Sequence, residues 1–289
     1  MNQAPVPLRL GIVGLDSSHA VSLARLCNGT SSLLNARVVA AWAGGSLDLP
    51  LSATRIDGFT QEVREIFGVE ILDTPEAVAE RSDAVAILSM DGRAHPSQFA
   101  RIASLQRPIF INKPLAITRR EAAAVEDLAQ KHNVRWFSAS ALRFAAHYEP
   151  KVQNAEVECP LWFEPGNAGW FWYGIHGVEL LLKVMGPGVR SVRVKVLPDR
   201  EILHLDWKNG RRGRVTGLLT REAPYSLSLD GVPQPCIDLA QAVSSLEKSM
   251  LTFFQGAPPP VNPEDTLEVI QCIEAANHSR VCGGSKISL

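Results

Sequence analysis

Residues 8–20 read LRLGIVGLDSSHA, and this stretch decides the fold. Leu8 to Val13 is a short apolar run closed by Gly14, the pattern of a buried parallel strand. Ser17 or Ser18 then caps a helix running to about Asn28. Strand, glycine turn and helix in that order make the first unit of a nucleotide-binding sheet. Such a turn holds a pyrophosphate on backbone N–H groups at the helix N-terminus. It needs glycine where the chain turns, where the backbone nears the phosphates, and where helix packs on strand. Gly14 fills the first of these positions, while Asp16 and His19 stand at the other two. A carboxylate at the second position opposes two phosphate charges unless it turns away or caps the helix. Ser17 and Ser18 still offer hydroxyl donors.

Outward from this turn the same rhythm continues. Strand signals cover residues 37–42, 69–72, 84–89, 108–112 and 134–139. Helical signals cover 60–67, 75–81, 96–105 and 119–132. The alternation predicts an α/β fold, a Rossmann-like doubly wound parallel sheet over residues 1–140. The second half changes character. Segments 190–197, 201–207, 213–220 and 225–229 are rich in β formers, with turn signals at Asn209-Gly210 and Asp230-Gly231. Two helices follow, 239–254 and 263–280, divided by the breaker GAPPPVNP. Residues 141–289 are therefore expected to form an α+β domain with a mainly antiparallel sheet.

Composition narrows the function. The formal net charge of −1 gives no electrostatic footprint for nucleic acid or a membrane surface. The five cysteines include no CxxC pair and are odd in number, so neither a disulfide framework nor a zinc ribbon is expected. A reducing cytoplasm fits that usage. The N-terminus shows no signal peptide, and no run is long enough to span a bilayer. The expected partner is a small molecule.

A second checkpoint for a dinucleotide is an acid after the second strand, which holds a ribose hydroxyl. Residues 41–48 read AWAGGSLD: the strand end carries no acid, and Asp48 comes slightly late. Ser46 and Arg55 are placed to receive a 2′-phosphate, so NAD and NADP both remain open.

Residues 108–118 read PIFINKPLAIT. The proline after Lys113 holds that lysine extended, so it projects from the carboxyl end of a strand, the edge where open α/β sheets bind ligands. Asp16, His19, Asp91, Arg93 and His95 fall in loops on the same edge. The types of Asp16, His19, Asp91 and His95 suit a metal, but no closed spacing motif accompanies them and no metal is expected.

The stretch Asn112-Lys113-Pro114 resembles the EKP motif of the glucose–fructose oxidoreductase/inositol dehydrogenase/MocA (Gfo/Idh/MocA) family, with Asn112 in place of the glutamate. Residues 172–186, WYGIHGVELLLKVMG, resemble the family's helix with its D-x-G-x-H-x-x-D pattern. Gly174 and His176 match, Glu179 is a conservative replacement, and Trp172 replaces the aspartate. Residues 89–104, SMDGRAHPSQFARIAS, resemble the family's loop after the fourth strand, and LEVIQCIEAANHS resembles its closing helix. The resemblance implies NAD or NADP and substrate in the cleft between two domains. It also implies oxidation or reduction of a secondary alcohol on a sugar, polyol or similar compound, and a homodimer or homotetramer.

The catalytic residues are then Lys113 and His176. An imidazole titrates near neutrality and suits the hydroxyl proton, and an ammonium stabilises a developing alkoxide. Glycines 174 and 177 beside His176 read as space for close ligand approach. Gly14, Asp16, Ser17, Ser18, Ser46, Asn112, Lys113 and Pro114 are expected at the cofactor. His19, Asp91, Arg93, His95, Tyr173 and Glu179 are expected at the substrate. The altered first loop leaves two rivals open: a non-redox lyase or epimerase of the same fold, and a binding or regulatory protein without turnover.

Overall fold

The computed structural model describes residues 6–30, 35–145, 152–167 and 169–289. The chain packs as two compact units. One comprises Met1–Ala116, Glu121–Ser138 and Glu247–Val261, the other Ile117–Arg120, Ala139–Leu246 and Asn262–Leu289.

The first unit is built on six strands: β1 (Leu8–Val13), β2 (Ala36–Trp42), β3 (Glu70–Ile71), β4 (Ala84–Ile87), β5 (Ile109–Asn112) and β6 (Trp136–Ala139). Their order is β3-β2-β1-β4-β5-β6, and the pairs β1·β2, β1·β4, β2·β3 and β4·β5 run parallel. The doubly wound parallel sheet is the one the sequence predicted, and this is its strand order. It reverses between β1 and β4, so the loops after those strands flank the crevice where such sheets bind ligands. The helices are α1 (Ser18–Asn28), α2 (Pro50–Ala53), α3 (Ile56–Glu65), α4 (Pro75–Arg81), α5 (His95–Ile102) and α6 (Arg119–His132). Ile12, Val38, Val85, Ile87, Ile109 and Ile111 are fully buried between sheet and helices. Each such side chain contributes about 1.5–3 kcal/mol. Residues 247–261 join this unit although they lie far along the chain. Phe253 meets Phe137 edge-on at 5.1 Å, Arg135 lies over the Phe253 ring and donates to the Ala257 carbonyl, and Ser22 donates to Glu247 at 2.6 Å.

The second unit contains β7 (Asn154–Pro160), α7 (Gly174–Met185), β8 (Val189–Val196), β9 (Arg200–Trp207), β10 (Arg212–Leu218), β11 (Ser226–Leu229), β12 (Val232–Pro233), α9 (Pro263–Val281) and β13 (Ile287–Ser288). Between β12 and α9 runs α8 (Leu239–Phe254), within which the division between the units falls. The sheet order is β12-β11-β7-β10-β9-β8-β13. It is mainly antiparallel, as predicted, with one parallel pair, β7·β10. The prediction lacked β7, whose sequence NAEVECP carries two glutamates of low strand preference. Its pattern explains it: Ala155, Val157 and Cys159 face inward, while Glu156 and Glu158 face out. Helices α7 and α9 pack against the strands. On the outer face, strand register aligns Glu156, Arg214, His204 and Arg193 in one row and Glu158, Thr216, Ile202 and Lys195 in the next. Among the described residues, no helix is long and apolar enough to cross a membrane.

Candidate active site

The turn after β1 is shaped by Gly14, whose φ of 93° is a conformation that side chains disfavour. A Cβ there would lie 2.1 Å from Ser89 Oγ and 2.5 Å from the Ser89 amide, so only glycine lets the loops after β1 and β4 meet. Asp16 is fully buried and points into that junction. Ser52 Oγ donates to its carboxylate at 2.6 Å, and the Met90 amide donates at 2.9 Å. Burial pushes the Asp16 carboxyl up in pKa, and these two bonds oppose the rise. Asp16 thus clamps three loops of the first unit.

Ser17 is the N-cap of α1 in extended conformation, yet its side chain caps no amide. Its hydroxyl is buried and has no hydrogen-bond partner among the described residues. Ser18 beside it is exposed. A helix N-terminus with free amide hydrogens and an unsatisfied hydroxyl is a seat for an anionic group. The residues therefore fit a dinucleotide phosphate, despite Asp16 and His19. His19 sits in the first turn of α1, and burial, with the nearby Lys113 ammonium, pushes its pKa down to about 4.

Beyond β2, Ser46 Oγ donates to Asp91 at 2.6 Å, and Arg93 bridges Asp91 and Asp48 at 2.7 and 2.8 Å. Burial works against the Asp91 carboxylate, but the bonds from Arg93 and Ser46 outweigh it and hold the group below its usual range. Asp48 and, from the loop after β4, Asp91 thus place two acids beside Ser46. Two carboxylates face one guanidinium, leaving an excess of negative charge beside Ser46.

Asn112 closes β5, its side-chain oxygen accepting from the Lys113 amide at 3.0 Å. The Lys113-Pro114 bond is cis. Gly92 lets the loop after β4 approach, since a Cβ there would lie 2.3 Å from Pro114. His95 is fully buried, with Nδ1 2.6 Å from the Pro114 carbonyl and Nε2 2.8 Å from the Ser89 carbonyl. Both ring nitrogens are committed to backbone, so His95 braces the turn carrying Lys113. That placement corrects the expectation of a substrate contact.

In the second unit, His176 lies on the first turns of α7 with Nδ1 2.5 Å from Ser140 Oγ. The Tyr173 and Tyr225 rings meet it edge-on, with centroids at 5.6 and 6.1 Å. Trp162 packs against Trp172 and Tyr173, so the position of the family's aspartate is an aromatic wall. Glu179, expected at the substrate, is buried instead. It accepts from Arg143 Nε at 2.7 Å and from the Ser140 amide at 2.9 Å. Glycines 174 and 177 also serve packing. A Cβ at 174 would lie 2.5 Å from Trp170, and one at 177 would lie 2.7 Å from Cys159 Sγ. Sequence reasoning missed Ser140, Arg143 and Tyr225; the only signal was a serine just before the ALRF segment, the pattern of a cap.

Residues 9–140 match the oxidoreductase family with NAD-binding Rossmann fold designated GFO_IDH_MocA. No curated protein matches the sequence. Among solved structures, myo-inositol dehydrogenase from Lactobacillus casei, in complex with NAD(H) and myo-inositol, superposes with a TM-score of 0.74 at 14% identity, over 98% of this chain and 97% of that one. Scyllo-inositol dehydrogenase from Lactobacillus casei, with NAD(H) and scyllo-inositol, gives 0.74 at 12%, over 98% and 99%. A protein from Desulfitobacterium hafniense, provisionally described as an NADPH-dependent oxidoreductase, gives 0.77 at 13%, over 99% and 98%. At these identities the likeness carries the fold.

Proposed function

We propose, from the match of residues 9–140 to the Gfo/Idh/MocA oxidoreductase family, that the protein is a member of that family and an NAD(P)-dependent oxidoreductase. Its substrate is a secondary alcohol or ketone of a sugar, polyol or related small molecule. The observation that carries this reading is the buried, unpartnered Ser17 hydroxyl at the uncapped start of α1.

The nicotinamide, when bound, accepts or supplies a hydride. Ser17, Ser18 and the first amides of α1 would hold the pyrophosphate, and Ser46 with the Asp48–Arg93–Asp91 cluster would meet the adenosine ribose. The surplus negative charge there repels a 2′-phosphate, which favours NAD over NADP. Asn112 and Pro114 shape the turn that presents Lys113. The Lys113 ammonium stabilises the negative charge that grows on the substrate oxygen. His176 takes the hydroxyl proton on oxidation and returns it on reduction. Tyr173 offers aromatic surface beside His176, suited to the apolar face of a ring. Inositols, the ligands in two of the structurally similar enzymes, are the first substrates to try.

The outer face of the second sheet supports a homodimer or a pair of dimers. Its β7 side carries Glu156 and Glu158 and its β8 side Arg193 and Lys195. A twofold contact lays the acidic side of one copy on the basic side of another. Five free cysteines fit residence in a reducing cytoplasm.

The test is cofactor-linked turnover with myo-inositol, scyllo-inositol and a panel of sugars. Removing a general acid–base or the electrostatic partner costs about 100-fold or more, so Lys113→Ala and His176→Ala should each fall by at least that factor while remaining folded. Retained turnover in either variant removes that residue from the mechanism. Acid–base chemistry without any cofactor would instead favour the lyase or epimerase reading.

A further inference from the structure

We propose that Ser140 is the positioning residue of His176, holding its ring by Nδ1 so that Nε2 is the nitrogen that exchanges a proton with substrate. This rests on the reading of His176 as the proton-exchanging group.

The contact is built from both sides. Ser140 is almost fully buried, and its Oγ lies 2.5 Å from His176 Nδ1. The serine is itself fixed. Its Oγ accepts from the Leu142 amide at 3.2 Å, closing the turn that follows β6, and its own amide donates to Glu179 Oε2 at 2.9 Å. Arg143, in the same turn, donates to that carboxylate oxygen at 2.7 Å. His176 and Glu179 stand three residues apart, on one face of α7. The turn and the helix are therefore tied at two adjacent points, one through the ring and one through the carboxylate. Rotation of the imidazole is further limited by Tyr173 on its own helix and Tyr225 just before β11.

Glu179 and Arg143 form a buried ion pair, and Tyr225 is held neutral because burial raises its pKa. The bond to Ser140 changes with the protonation state of His176. When the ring is charged, Nδ1–H donates to Ser140 Oγ in a charge-assisted bond, roughly twice as strong as the bond to the neutral ring. Ser140 consequently steadies the protonated ring as well as its orientation.

The experiment needs no substrate. The full chain labelled with nitrogen-15 at histidine is titrated by NMR, and the His176 signals are assigned by their loss in His176→Gln. Ser140→Ala removes the hydroxyl. Ser140→Gly does so while retaining most capping ability, since glycine at an N-cap costs only a few tenths of a kcal/mol against serine. In both, the proton-binding constant of His176 should fall about threefold to tenfold, the effect of losing a charge-assisted bond. Ser140→Thr should restore the wild-type value within about twofold. If Ala and Gly titrate like wild type and only lower the unfolding midpoint, Ser140 is a cap and the proposal is overturned. Should His176→Gln keep full turnover, the functional reading fails, whereas the titration still decides the Ser140–His176 bond.

Discussion

At the scale of the residue, Asp16 shows how a departure from a motif is absorbed. In the sequence it stands where a glycine would face phosphate; in the fold its carboxylate accepts hydrogen bonds from the Ser52 hydroxyl and the Met90 amide. Asp16→Ala leaves those two donors buried without a partner, which costs about 1–3 kcal/mol each. Urea unfolding should show that loss, and an unchanged midpoint would mean that the clamp carries no stability. His19 gives the molecule a pH dependence. The folded state keeps it neutral down to about 4, while the unfolded chain takes the proton near 6.5. Between those values the unfolded state binds more protons, so stability is lost as pH falls through the window. His19→Gln should be less sensitive between pH 7 and pH 5 than wild type; equal sensitivity would place the effect elsewhere. The residue types of Lys113, His176 and Ser17 were legible in the sequence. The contacts of Asp91 with Ser46, of His95 with Pro114 and of Glu179 with Ser140 and Arg143 were not, because those partners lie in other loops of the chain.

Among elements, the strand–turn–helix units of the first half were legible because each buried strand is a compact apolar run with glycine or proline punctuation. Strand β7 escaped because one of its faces is acidic, so its two-residue alternation passes for a loop. The packing role of the α7 glycines escaped for a related reason. Sequence shows that a side chain is missing, not whether a ligand or a neighbouring strand takes the space. The turn after β1 yields a direct prediction. Gly14→Ala places a methyl against Ser89 at a backbone angle that alanine disfavours, a strain of about 1–3 kcal/mol before any clash. It should lower the thermal midpoint and weaken dinucleotide binding together, and a variant as stable as wild type would show that the two loops can part. The turn after β6 is equally demanding. Arg143→Ala strands the Glu179 carboxylate in the interior, a loss of about 3–5 kcal/mol for one half of a buried pair. Chemical denaturation should register it.

For the whole molecule, the outer sheet face predicts association that depends on salt. Sedimentation should find a dimer or larger assembly at low ionic strength, and Glu156→Lys with Glu158→Lys should shift it toward monomer; a monomer under all conditions would contradict the charge pairing. The central claim is that an altered first loop still holds a nicotinamide dinucleotide, and equilibrium titration of the purified protein with NADH and NADPH, followed by nicotinamide fluorescence, tests it most directly. Saturable binding is expected, tighter for NADH than for NADPH. Affinity should also be reduced about fivefold or more in Ser17→Ala, the loss of one hydrogen bond to a charged group. No binding of either dinucleotide to the folded protein would contradict the claim.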